Sequence, residues 1–228
     1  MLIIVDKKIP DEAKSNLRLY GELLEFETTG IVYDAISGHP DIFITKAIDT
    51  WIIASNTPDF IKEALENHNI KVVEGEEPVG EKYPKSSIYN VVCTSTHLIH
   101  NFRNTDSIIT RTCEDLDLIH VDQGYTRCNL IPLSDDAFIS SDKGISKVLD
   151  RYGIENVFVD PKGIDLPGFS NGFFGGCCGI FDQKLFVIGK IDHLAKATEL
   201  REFITSKNIE IIELYDGNLF DGGSILFL

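Results

Sequence analysis

A few residues of this chain have side chains able to do chemistry, and they stand in turn-rich stretches. His39 and Asp41 lie two residues apart in GHPDIF (38–43), and Cys128 lies in GYTRCNLI (124–131). Asn90 sits in SIYNVVC (87–93), and Asp221 opens the Gly-Gly turn of FDGGSI (220–225). A thiolate is the strongest side-chain nucleophile at neutral pH, and an imidazole can give and take a proton there. Carboxylates hold planar cations in bidentate fashion. Each residue also has a plainer reading. Cys128 ahead of Asn-Leu-Ile suits a small buried hydrophobe, and His39 before Pro40 suits a turn. Asp221 suits turn chemistry, and Asn90 suits a buried amide bonded to a neighbouring element.

One further segment, GFSNGFFGGCCGIF (168–181), carries five glycines. Such density permits positive φ and close backbone approach, so Phe173 and Phe174 could wall a pocket with Cys177 as a second candidate nucleophile. The same glycines could equally shape a bend at a crowded centre. The segment is not a phosphate loop, because no Gly-Lys-Ser/Thr follows and no G-x-G-x-x-G opens a helix.

The elements that must position these residues form a repeat. Five apolar strand openings, LIIVD, WIIAS, LIHN, AFISS and LFVIG, begin at Leu2, Trp51, Leu98, Ala137 and Leu185. Their spacing is roughly 40–50 residues, a period typical of propellers and other arrays. Each opening leads to a helix, a second strand, a turn-rich link and a third strand. In the first unit Pro10 opens the helix PDEAKSNLRLYG, with Leu17, Leu19 and Tyr20 as its apolar stripe. In the second, Thr57 is placed to cap and Pro58 to take the first helical position, with Phe60, Ile61, Ala64 and Leu65 on one face. DIFIT, SIYNVVC and YTRCNLIPL read as third strands. No composition shift separates the units, so the expectation is one domain of five repeats, about 1–49, 50–96, 97–135, 136–183 and 184–228. Closed into a ring, such repeats would aim their turns at one pore.

Bulk properties narrow the function classes. The chain has 228 residues and a net charge of −15, from 36 acidic and 21 basic residues. That balance argues against a nucleic-acid partner, which needs a basic stripe. It favours a small cationic ligand through the summed field, or else marks a solvated acidic surface. No apolar run reaches the ~20 residues of a membrane span, and the N-terminus does not read as a signal peptide. No membrane partner and a cytoplasmic location are therefore expected, and the chain does not indicate an oligomeric state. Five cysteines without CxxC pairing form neither a disulfide framework nor a zinc constellation, and the histidines show no paired metal spacing on a helix. His97 and His100 should lie near the ends of a short strand. No cofactor or metal is expected.

The strand–helix–strand rhythm resembles the pentein fold, the five-bladed β/α-propeller of guanidino-group-modifying enzymes. GHPDIF is similar to that superfamily's G-H-x-D-x-F segment, and FDGGSI to the Gly-Gly turn preceding its nucleophile. The resemblance implies a cysteine two or three residues beyond that turn, where this chain holds Ile225, Leu226 and Phe227. It also implies a His-x-Asp element and a cysteine about two blades apart, and two blades beyond His39 and Asp41 stands Cys128. On that reading Cys128 is the nucleophile, His39 the acid/base and Asp41 a substrate clamp. Asn90, Asp221 and Phe173 add contacts to a guanidine- or amidine-type C–N substrate, and Cys128 should be alkylated faster at pH 7 than Cys93 or Cys113. The alternative is a catalytically silent pentein-fold protein whose pore binds a ligand or docks a partner.

Overall fold

The computed structural model describes all 228 residues. Along the chain run β1 (Leu2–Asp6), α1 (Asp11–Leu17), β2 (Glu22–Phe26), β3 (Ile44–Ala47), β4 (Thr50–Ile53), α2 (Asp59–Asn67) and β5 (Val72–Glu74). Next come β6 (Val92–Cys93), β7 (His97–His100), α3 (Ser107–Thr112), β8 (Asp117–His120), α4 (Thr126–Asn129), β9 (Leu130–Ser134) and β10 (Ala137–Ser140). The last are α5 (Lys143–Tyr152), β11 (Glu155–Phe158), β12 (Cys178–Phe181), β13 (Lys184–Val187), α6 (Ala197–Ser206), β14 (Glu210–Glu213) and β15 (Leu226–Phe227).

These strands form five three-stranded sheets: β15-β1-β2, β3-β4-β5, β6-β7-β8, β9-β10-β11 and β12-β13-β14. In each, the first strand pairs antiparallel with the second, which pairs parallel with the third across a helix. The helical crossover is what a parallel pair requires. The apolar openings form the middle strands, and continuous apolar runs suit strands covered on both faces. All five residues of β1 and all four of β10 are buried, while the third strands β5 and β8 are largely exposed.

Sheets and sequence repeats are offset by one strand: the third strand of each repeat joins the sheet of the next. The last repeat therefore closes on the first. Ile3 faces Phe227 and Ile4 faces Leu226 across β1 and β15, and Leu2 and Leu228 exchange two backbone hydrogen bonds of 3.0 and 2.9 Å. The result is a five-bladed pentein propeller.

Several local expectations are corrected by packing. In α1 the buried face is Ala13 and Leu17, one turn apart, while Leu19 is 80% exposed. In α2, Ile61 and Leu65 are buried and Phe60 is exposed, and Pro58 occupies the cap position. The Thr57 hydroxyl is buried without a partner because Thr57 turns inward, its N–H bonded to the Ala54 carbonyl. Two third strands are shorter than their apolar runs. Pro40–Ile42 forms a tight 3₁₀ turn, which the fixed φ of Pro40 favours, so β3 begins only at Ile44. Asn90 donates its N–H to Ser87 in a turn that delays β6 to Val92. Cys128 stands on the single-turn helix α4, just ahead of β9.

The links from one blade's third strand to the next blade's first strand, 27–43, 75–91, 121–129, 159–177 and 214–225, meet one another through side-chain hydrogen bonds. Each carries one or more of the residues singled out above.

Candidate active site

His39 is set by the turn before β3: its N–H donates to the Ile36 carbonyl at 3.1 Å, and its carbonyl accepts from Ile42 at 3.3 Å. Asp41 follows in the same turn. Cys128 arrives on α4 two blades on, and Asp221 on the last link. The Cys128 sulfur, a His39 ring nitrogen and an Asp41 oxygen all lie within 4.8 Å of one another, and all three residues are buried.

The thiol donates to Asp41 Oδ2 at 3.3 Å, and the same oxygen accepts the Ser224 hydroxyl at 2.6 Å. Asn90 braces the group from below. Its side-chain amide donates to the Cys128 sulfur at 3.3 Å and to the Asp41 carbonyl at 3.1 Å, and its oxygen accepts the Cys128 N–H at 3.1 Å. Asn90 is thus a framework residue and does not line the cavity. Asp221 accepts the N–H groups of Phe173 (2.8 Å) and Gly223 (3.1 Å). His39 stands between two buried carboxylates, Nε2 3.9 Å from Asp6 Oδ2 and Nδ1 4.0 Å from Asp221 Oδ1. Neither ring nitrogen has a hydrogen-bond partner, and neither has Asp41 Oδ1. Buried polar atoms are normally paired, so three orphans at one point mark a site built to receive something.

A cavity of about 130 Å³ opens onto this cluster, with His39, Cys128 and Asp221 at its base and Tyr33, Tyr125 and Phe173 in its walls. A wider cavity of about 580 Å³ occupies the opposite mouth of the ring, where Asp41 and Arg127 meet Trp51 and Phe181. Arg127 points that way, donating to the carbonyls of Gly175 and Cys178 at 3.0 and 3.2 Å. Asp41 therefore lies between the two chambers, and the carboxylate facing the smaller one is Asp221.

The remaining sequence candidates separate. Phe173 lines the cavity, but Phe174 is fully buried in the hydrophobic core with Cys177. Cys177 donates to the Phe173 carbonyl at 3.3 Å and does not belong to the His39 cluster. His97 and His100 do end the strand β7. His100 bridges Thr105 and the Gly124 carbonyl at 2.6 and 2.8 Å, and burial pulls its pKa down to about 4, so it is a neutral structural group. Sequence reasoning missed Asp6, Ser224, Tyr33 and Tyr125. Asp6 alone carried a signal, a charge closing an otherwise apolar strand that is buried throughout.

Electrostatics sets the resting state. Burial, then the charges of Asp41 and Asp221, push the Cys128 thiol well above its ordinary range, so it rests protonated. Burial likewise raises Asp6 and Asp221, with His39 opposing in both. By contrast Cys93, half-buried at the wide mouth, is lowered by a hydrogen bond from Cys113 at 3.7 Å and by the Ile48 N–H at 3.3 Å. This reverses the labelling order expected from sequence. With no ligand bound at pH 7, iodoacetamide should modify Cys93 ahead of Cys128, as peptide mass spectrometry will read.

A second prediction follows from the same burial. Cys128, Cys177 and Cys178 are all raised from an ordinary 9.0 by burial above all. A group that holds its proton more tightly when folded costs stability as pH rises from its unfolded pKa toward its folded one. Denaturant titrations should therefore show stability falling above about pH 9, by about 1.4 kcal/mol per pH unit for each such thiol. Below pH 8 these groups should contribute no slope.

Chemically, a thiol, an imidazole and a carboxylate are groups that nucleophilic chemistry at carbon can use. The same three side chains are also a donor set of the kind that holds zinc. Sequence spacing hid it because His39 and Asp41 share one turn while Cys128 comes from a link two blades on.

Solved structures share the fold, three of them as follows. A cysteine-to-serine variant of DDAH from Pseudomonas aeruginosa bound to citrulline superposes with a TM-score of 0.54 at 10% identity, over 93% of this chain and 91% of that one. Agmatine deiminase from C. jejuni gives 0.56 at 10% identity, over 93% and 74%. SxtG, an amidinotransferase from Microseira wollei, gives 0.53 at 10% identity, over 93% and 87%. At such identities the likeness is one of fold. No curated protein sequence matches the chain. No helix is long and apolar enough to cross a membrane. Residues 4–226 match one described family, so this pentein-fold chain belongs to the family of unknown function DUF6873.

Proposed function

We propose that the protein is a cysteine hydrolase acting on a small amidine or guanidine, with Cys128 as nucleophile and His39 as acid and base. The observation that carries this reading is the meeting of Cys128, His39 and Asp41 within 4.8 Å, with Cys128 and His39 lining a cavity and both His39 ring nitrogens unpaired. The names of the structures sharing the fold, agmatine deiminase and an amidinotransferase among them, support the substrate class.

The resting thiol is neutral, so the substrate must help to ionise it. A bound amidinium beside Asp221 offsets the negative charge that holds the proton on sulfur. The thiol proton then passes to the imidazole, giving thiolate and imidazolium. The sulfur attacks the central carbon, forming a C–S bond, and His39 gives its proton to the departing nitrogen as the C–N bond breaks. The enzyme now carries a thioimidate, or an isothiouronium from a guanidine. Water gives a proton to His39 and adds to the same carbon. The C–S bond breaks, sulfur regains a proton, and an amide or a urea leaves. The sum is substrate plus water giving amide or urea plus ammonia or amine. Asp41 and Asn90 fix the sulfur, and Ser224 fixes Asp41.

The test is release of ammonia or amine from a panel of amidines and guanidines. Turnover by the wild-type protein is expected for some member. Binding without release from any member would overturn the hydrolase reading and identify a silent binding protein.

A further inference from the structure

We infer that the small cavity selects an amidinium or guanidinium whose tail is short and apolar, and rejects one whose tail ends in a carboxylate. This rests on the hydrolase reading above and adds the identity of the tail.

The charges around the cavity all have one sign. Its base holds Asp221, with Asp6 behind His39 and Asp41 behind the thiol. The two cations that act on Asp6 and Asp41, Lys8 and Arg127, are committed elsewhere. Arg127 faces the opposite chamber, tied to the Gly175 and Cys178 carbonyls. The Lys8 ammonium is held by Ser37 at 2.9 Å and by the Asp34 carbonyl. A carboxylate entering with the substrate would therefore meet repulsion and would lose its hydration without a partner. A substrate with an α-carboxylate needs a guanidinium or ammonium to receive it, and the walls hold only rings, alkyl groups and Asn171.

Those walls suit a different tail. Tyr33 and Phe169 pack with ring centroids 5.8 Å apart, and the Tyr33 and Tyr125 hydroxyls meet at 3.3 Å. Tyr125 is anchored in turn on the Ser86 hydroxyl at 2.6 Å. The aromatic faces can take the flat cation, and their edges an alkyl chain. At about 130 Å³ the space is well below the roughly 300–1,000 Å³ that receives a drug-sized ligand. Phe169 is 54% exposed, so it forms the rim that the tail passes.

The experiment compares propylguanidine with 3-guanidinopropionate, which share a guanidine and a three-carbon chain and differ in the terminal methyl or carboxylate. Turnover and calorimetric binding to the full-length protein are both measured. Propylguanidine is expected to be favoured by about 100-fold or more in kcat/KM or affinity. Equal or better use of 3-guanidinopropionate would overturn the inference and leave the hydrolase reading intact. Failure of both guanidines and of acetamidine to bind or turn over would overturn both. Phe169→Arg, at an exposed position, places a cation on the rim that the tail passes and should narrow the ratio about tenfold. An unchanged ratio in that variant would mean that the mouth does not read the charge of the tail, which also counts against the inference.

Discussion

Cys128→Ala should abolish turnover while leaving the ring folded. Removing the nucleophile of a thiol or hydroxyl hydrolase lowers kcat on the order of 10⁴–10⁶-fold, and no second thiol here can substitute. Cys177 and Cys178 are buried in the core, and Cys93 and Cys113 lie in another blade. The structural cost should be small. Asn90 loses one acceptor but keeps the Asp41 carbonyl, and deleting one buried heavy atom costs about 1 kcal/mol. Parallel measurement of product release and thermal unfolding checks both halves. Retained turnover would remove Cys128 from the mechanism.

Gly223→Ala should be the most damaging substitution that touches no reacting atom. Gly223 has φ +63°, a conformation costing an alanine about 1–2 kcal/mol. An added Cβ would also overlap the His39 side chain. The Gly223 carbonyl accepts the Asp41 N–H at 3.3 Å, so a shift of this turn displaces both residues together. The expected result is a stability loss of about 2–4 kcal/mol and a kcat at least about 100-fold lower, since a misplacement of about 1 Å is enough for that. Gly163→Ala separates the causes. Gly163 has φ +90° with open space around its Cβ position, so it should lose stability through backbone strain alone and keep full turnover. Equal turnover by the two variants would deny that His39 is held by this contact.

The architecture was legible because burial follows the strand order. LIIVD, AFISS and LFVIG are apolar up to the polar residues that close the first two, as suits strands covered on both faces, and each opens a middle strand. The offset between repeat and sheet was not legible. A strand's own residues do not say which neighbour it pairs with, and β15, the strand that closes the ring, contributes only Leu226 and Phe227. Within the site, His39, Asp41 and Cys128 could be named from their links, yet the division of labour between carboxylates could not. Asp41 looks like the clamp in GHPDIF, but the 3₁₀ turn at Pro40 aims it at the thiol, and Asp221 reaches the cavity instead. The resting charge of the thiol was likewise invisible, because it is set by burial and by carboxylates nearly a hundred residues away on either side.

The most direct test of the account is acid quench of the protein during turnover of a substrate amidine or guanidine, followed by peptide mass spectrometry. A thioimidate or isothiouronium adduct on Cys128 is predicted, absent in Cys128→Ala and strongly reduced when His39 is replaced by Gln, which can neither take the thiol proton nor protonate the departing nitrogen. Turnover that proceeds with every cysteine unmodified, or an adduct on Cys93 or Cys177 instead, would contradict it.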